Sequence, residues 1–280
     1  MLEHADRVTT FYDAIESTLQ KQRSCHTAQT FATNPEMPTS PPAPEAGVAA
    51  VDRALSILEA FRDEDHSLAL ADIAQRTGLY KSTILRLIES LLRSYYLRRL
   101  ADGTYQLGPA TLRLASLFQR QCRTFDLVPP VLRTIVEQTS ECASFYTREG
   151  EFGVCLHRVD SARMVRDAIR EGDRLPIDCG AASHVLRAFG GDSGEHLDRV
   201  RNDGFCASAG EVDAEIAALS IPVLGVNKSL IGALTISGPR YRFDNGQDMD
   251  MLPALLAGAR KLSEDFGGDP TWLTAITPQG

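Results

Sequence analysis

The 280-residue chain lacks the marks of a membrane or secreted protein. No apolar run approaches the roughly 18 residues that a membrane-spanning helix needs. The N-terminus has no basic-then-apolar leader pattern, so a cytoplasmic location and no membrane partner are expected. The six cysteines, at positions 25, 122, 142, 155, 179 and 206, never form C-x-x-C and never stand at zinc-finger spacing from a His pair. Reduced, packed thiols are therefore expected, with no metal site and no cofactor. An excess of basic residues is missing too. The net charge of −8 argues against a uniformly basic nucleic-acid binder.

The charge is unevenly spread. From Arg76 to Arg123, nine Lys and Arg face only Glu89 and Asp102, so that window carries +7 and the remainder −15. A basic stripe in an acidic chain points to one segment that meets phosphate.

Composition and periodicity divide the chain further. The stretch 34-NPEMPTSPPAPEAG-47 holds five prolines and closes a disordered, Pro-rich extension over 1–47. From Val48 the pattern is helical, with Val51, Leu55, Leu58 and Phe61 as the expected core face. The run 70-LADIAQRTGLYKSTILRLIESLL-92 supplies two more helices, and 96–108 reads as a hairpin turning at Asp102-Gly103. Pro109 opens a helix over 110–125, with Leu112, Ala115 and Leu117/Phe118 on one side. This yields a DNA-binding domain over 48–108 and a linker helix within 109–128. A second α+β domain, 129–266, would consist of an antiparallel sheet with flanking helices, followed by a tail over 267–280. Its elements are expected as a helix at 130–139, strands within 142–159, a short strand in 163–170 and a loop-helix over 175–189. Two strands around Asn227-Lys228 and a closing helix near 248–266 complete it.

The pair of helices in 70–92 has the makings of a helix-turn-helix. Ala74 allows close approach, Gly78 tolerates a left-handed turn and Ile84 locks the second helix. A hairpin then follows, as in a winged helix. On a helical wheel Ile84, Leu87, Ile88 and Leu91 share the core face, while Ser82, Leu85, Arg86, Glu89 and Arg93 share the other. Arg86 has the fork that reads guanine, and Leu85 suits a thymine methyl. Lys81, Ser82 and Thr83 sit in the first turn, where phosphate is bound. Arg93 and the wing arginines Arg98 and Arg99 are further candidates for duplex contact.

These stretches, with 132-LRTIVEQTSECASFYTREG-150, 156-LHRVDS-161, 171-EGDRLPID-178 and 231-IGALTISGP-239, resemble the IclR family of bacterial transcriptional regulators over about residues 48–266. The resemblance implies an N-terminal winged helix, a linker helix that dimerises and a C-terminal GAF-like domain that binds small metabolites. It also implies a double-stranded operator, a small organic acid effector and a homodimer, with a dimer of dimers as the larger alternative. Effector contacts would fall on Ala181 and Ala182 through their N–H groups, and on Ser208, Ala218, Thr235 and Ser237. This chain departs from the family pattern at Ala69, where a Ser or Thr cap is usual, at Tyr80 in place of proline and at Tyr95 in place of glycine. Ala218 replaces a frequent cysteine, and 188–205 is short.

Three classes of function compete. The first is an effector-responsive regulator, and the second a DNA-binding protein without an effector. The third is a Cys-dependent enzyme using Cys155, His157 and Asp160, since strand alternation puts Cys155 and His157 on one side. That nucleophile would lie in a strand interior with no oxyanion loop, so no enzymatic activity is expected. His157 and Arg158 are read as structural, and His184 as a weaker ligand candidate.

Overall fold

The computed structural model describes residues 47–62, 64–243 and 247–275. The Pro-rich extension and the last residues of the tail lie outside these, except for Gly47 and for 267–275. The chain folds as two compact units that divide between Arg123 and Thr124.

In the first unit, helices α1 (Ala49–Glu59), α2 (Leu70–Thr77) and α3 (Lys81–Arg93) precede a two-stranded wing, β1 (Leu97–Arg99) and β2 (Tyr105–Leu107). Ile57, Ile73, Ile84 and Ile88 form its centre and are almost fully buried. Each such side chain contributes about 1.5–3 kcal/mol of transfer free energy. The expected face of α1 needs a correction. Ile57 and Ala60 are buried and Leu58 and Phe61 partly so, whereas Val51 and Leu55 are exposed beside Val48. Arg76 also leaves the basic stripe. Its guanidinium pairs with Asp65 and donates to the Ala60 carbonyl at 2.9 Å, which ties α2 to the end of α1.

Gly78 closes α2 at φ +67, and its N–H reaches the Ala74 carbonyl at 3.0 Å. Ala69 has no side-chain acceptor for the start of α2, but the Asp72 carboxylate takes the Ala69 N–H at 3.0 Å, so half of the cap survives. Tyr95 does adopt the left-handed geometry, at φ +60. This costs on the order of 1 kcal/mol relative to glycine. The last helix of this unit, α4 (Pro109–Gln121), stops at Cys122, short of the expected end. Residues 124–128 start the next helix instead.

The second unit runs α5 (Thr124–Thr139), β3 (Cys142–Glu149), β4 (Phe152–Val159), β5 (Arg174–Pro176), α6 (Ala181–Phe189), α7 (Glu195–Asp203), β6 (Cys206–Ala209), β7 (Ile216–Leu224), β8 (Leu230–Pro239) and α8 (Gln247–Asp265). Helix α5 begins earlier than the 130–139 expected, with Pro129 and Pro130 inside it. The strands form one antiparallel sheet in the order β5-β4-β3-β8-β7-β6. Helices α5 and α8 cover one face through Leu132, Ile135, Leu255 and Leu262 against Phe145, Leu219 and Leu234. Helices α6 and α7 cover the other, with Val185, Leu186 and Val200 against Tyr146 and Cys155. No strand forms in 163–170. The edge strand is Arg174–Pro176, and 160–173 is an irregular connection held by side-chain ion pairs.

Candidate functional site

Two candidate sites arise, one in each unit. In the first, α3 buries Ile84, Ile88 and Leu91 and leaves Lys81, Ser82, Leu85, Arg86, Glu89 and Arg93 exposed. Thr83 is half-buried. This is the division that the 3.6-residue period dictates. Among the described residues, Lys81, Arg86 and Arg93 have no ion-pair partner, so their charges face solvent. The wing arginines are braced. The Arg98 Nε donates to the Gln106 Oε1 at 2.8 Å across the hairpin, and the Arg99 guanidinium lies 5.9 Å from the centre of the Tyr105 ring. At the wing tip the Asp102 carboxylate takes the Thr104 N–H at 2.9 Å, and Gly103 supplies φ +86. The result is a helix with one cationic polar face beside a short hairpin that carries two more cations.

In the second unit an open cleft lies between the sheet and the start of α6, with about 440 Å³ of empty space when the solvent at its mouth is counted. All six residues carried over from the family resemblance line it: Ala181, Ala182, Ser208, Ala218, Thr235 and Ser237. Their hydrogen bonds differ from the expected ones. The Ala181 N–H is taken by the Ser208 hydroxyl at 2.9 Å, and the Gly180 N–H by the Glu211 carboxylate at 2.8 Å. Among the described residues, neither the Ala182 N–H nor the Ser208 hydroxyl proton has an acceptor. Gly180 is required by its φ of +87, and a Cβ there would stand 2.7 Å from Val212. Thr235 shares a bond with Ser220 on the neighbouring strand at 2.9 Å. Ser237 donates to the Asp167 carboxylate, which also lines the cleft and pairs with the buried Arg158.

Sequence reasoning missed Asp167, because 163–170 was read as a strand. Its partners come from β4 and β8, and no linear spacing announces them. Arg158 further binds Asp160 at 2.7 Å and the Ser144 hydroxyl at 3.1 Å. Burial pushes the Arg158 pKa down, but the Asp167 charge and its neighbours outweigh this and the net shift is upward. Next to this network Glu141, also buried, pairs with both Arg163 and Arg242. Arg242 in turn donates to the Val165 carbonyl at 2.9 Å. His184 does not line the cleft. It bonds Glu211 at 2.8 Å, and its ring meets the edge of His196. Burial works to raise the Glu211 pKa, but the His184 and Gly180 contacts prevail and lower it.

The Cys155–His157–Asp160 arrangement does not form. The ladder pairs Phe145 with His157 but Tyr146 with Cys155, so Leu156 is an extra residue in β4. This bulge turns the two side chains to opposite faces. Cys155 packs beneath α6 with Tyr146, while His157 meets Phe125 of α5, ring centroids 4.3 Å apart. Burial pushes the Cys155 thiol up to about 12 and pulls His157 down to about 4, which removes both a thiolate and a basic imidazole. Burial likewise raises Cys142, Cys206 and Cys179, the last to about 11.

Comparison with known proteins agrees with this architecture. The sequence profile of the IclR helix-turn-helix domain matches residues 50–101, and that of the bacterial transcriptional regulator IclR C-terminal domain matches 194–264. The chain is similar to the Pca regulon regulatory protein of Pseudomonas putida, 24% identical over 268 residues, covering 86% of this chain and 88% of the relative. It is 34% identical over 143 residues to the HTH-type transcriptional regulator TtgV, also of Pseudomonas putida, covering 51% of this chain and 54% of that relative. Among solved structures, an IclR homologue from Microbacterium hydrocarbonoxydans complexed with 4-hydroxybenzoate superposes with a TM-score of 0.66. It is 20% identical and covers 78% of this chain and 99% of its own. With both domain profiles matched in order, the chain carries the helix-turn-helix and C-terminal domains of the IclR family of bacterial transcriptional regulators.

Proposed function

We propose that this regulator binds an operator through α3 and the wing, and that a small organic acid in the cleft of the second unit changes its operator affinity. Arg86 and Leu85 read base edges, and Lys81, Ser82 and Thr83 meet phosphate. Arg93, Arg98 and Arg99 add contacts to the backbone. Two chains pair through α4, which presents two winged helices to two half-sites.

The observation that carries the effector reading is the cleft itself. Six residues from four separate stretches of sequence line one opening, with an N–H at a helix start that has no acceptor among the described residues and hydroxyls on the facing strands. In this reading the acid's carboxylate lies at the Ala182 N–H and the Ser208 hydroxyl, where the helix dipole favours negative charge. With neutral donors only, affinity should lie between micromolar and millimolar, about −8 to −4 kcal/mol. A ligand shifts operator binding only if it prefers one state of the dimer.

The test is a melting-temperature screen of the full chain against small organic acids. It is followed by fluorescence anisotropy on DNA sites selected from a random pool. An acid that raises the melting temperature and changes DNA affinity supports the reading. No stabilising acid, together with unaltered tight DNA binding, would leave a regulator without an effector.

A further inference from the structure

The buried carboxylate of Asp167 bears on which acid the cleft accepts, and the following rests on the effector reading above. Asp167 and Arg158 are each only 4% exposed at their side chains. The Asp167 Oδ1 takes the Arg158 guanidinium and the Ile169 N–H at 3.3 Å, and its Oδ2 takes the Ser237 hydroxyl. Asp167 lines the cleft, while Arg158 stands behind it.

Two consequences follow from counting protons and charges. A serine hydroxyl has one proton, and Ser237 spends it on Asp167, so towards a guest Ser237 can only accept. Arg158 is also shared with Asp160, so it offers no spare positive charge to a guest carboxylate. A carboxylate placed at this end would lie against another carboxylate. The end of the cleft at Asp167 and Ser237 is therefore an acceptor end. The opposite end, at the Ala182 N–H and the Ser208 hydroxyl, is a donor end. Between them the lining is mainly apolar, including Ile169, Leu175, Val212 and Ile216.

We infer that Asp167 is a specificity-determining residue that selects a hydroxy acid: a carboxylate at one end, an apolar body, and a hydroxyl that donates at the other. Because Arg158 already balances the Asp167 charge, a neutral hydroxyl fits this end better than a second cation, which would compete with the guanidinium. A site built to pair a hydroxyl rejects the analogue without it, since its buried acceptors then lose water and gain nothing.

The experiment is titration calorimetry of the full chain against matched acids. These are 4-hydroxybenzoate, benzoate and 4-methoxybenzoate, with 6-hydroxyhexanoate and hexanoate as a flexible pair. At least one hydroxy acid should bind tenfold or more tighter than its plain partner, and the methoxy compound, which accepts but cannot donate, should behave like benzoate. In Asp167→Asn the preference should shrink at least threefold. Ser237→Ala keeps the ion pair and leaves Oδ2 to the guest, so there the preference should persist. Plain acids binding as well as hydroxy acids would overturn the role of Asp167 and leave the effector reading intact. Loss of the preference in Ser237→Ala would also overturn it, since Ser237 would then be the discriminating group. Binding by none of the acids at millimolar concentration would bring down the effector reading and this inference together.

Discussion

At the scale of the residue, His157 ties burial to pH. Its side chain is 1% exposed, lies between Phe125 and Phe145, and has no hydrogen bond at Nε2 among the described residues. Burial lowers its pKa from 6.5 to about 4. Between those values the unfolded chain binds a proton that the folded chain does not. Stability from this group is thus complete above pH 6.5 and falls as the pH drops towards 4. From pH 6.5 to pH 5 the loss is about 2 kcal/mol, at about 1.4 kcal/mol per pKa unit. His157→Phe keeps a ring among rings and should flatten that slope, as read by urea unfolding at pH 7 and pH 5. An unchanged slope in the variant would assign the acid sensitivity to other groups. Strand alternation put His157 and Cys155 on one face. One bulged residue, Leu156, reverses that, and a bulge leaves no mark in a hydrophobic pattern.

At the scale of the element, α3 was legible because a helix half in solvent must separate its residues by kind. Ile84, Ile88 and Leu91 turned inward and Arg86 outward, as the spacing required. Arg86→Ala should cost about 1–3 kcal/mol on a selected site and relax base choice at one position. Arg98→Ala, which removes a braced cation from the wing, should weaken all sequences more evenly. Anisotropy on matched and scrambled duplexes separates the two. Equal losses on both duplexes for Arg86→Ala would deny it a base-reading role. The face of α1 was misread for a related reason. Two apolar stripes compete on that helix, and periodicity does not say which one the neighbouring helices cover. In the second unit the long strands were legible from alternation. The three-residue β5 and the connection before it were not, because side-chain charge pairing holds that stretch in place of a ladder.

At the scale of the whole molecule, α4 has an apolar side that the single chain leaves largely in solvent. Leu112 is 70% exposed, and Leu114, Leu117 and Phe118 are exposed too, while only Ala110 of this helix is buried. A helix of 13 residues is too short to be stable on its own in water. Pairing two such helices would bury the stripe. Leu112→Glu combined with Phe118→Lys should therefore convert dimers to monomers in sedimentation velocity at micromolar concentration, and should weaken operator binding. A wild-type chain that is already monomeric there, yet binds its site tightly, would sink the pairing.

The ion pairs around the connection between β4 and β5 have a consequence for local unfolding. Glu141 gathers Arg163 and Arg242, and Asp167 gathers Arg158 and Ser237, so the segment is fastened at two points through buried carboxylates. Lifting Arg163 would take one of two partners from the buried Glu141, and lifting Asp167 one of two from the buried Arg158, so each opening weakens a buried charge pairing. The segment therefore has few small openings available to it. Its hydrogen-bonded amides, those of Ile169 and Gly172 among them, should exchange slowly together with the adjoining strands, as read by hydrogen exchange.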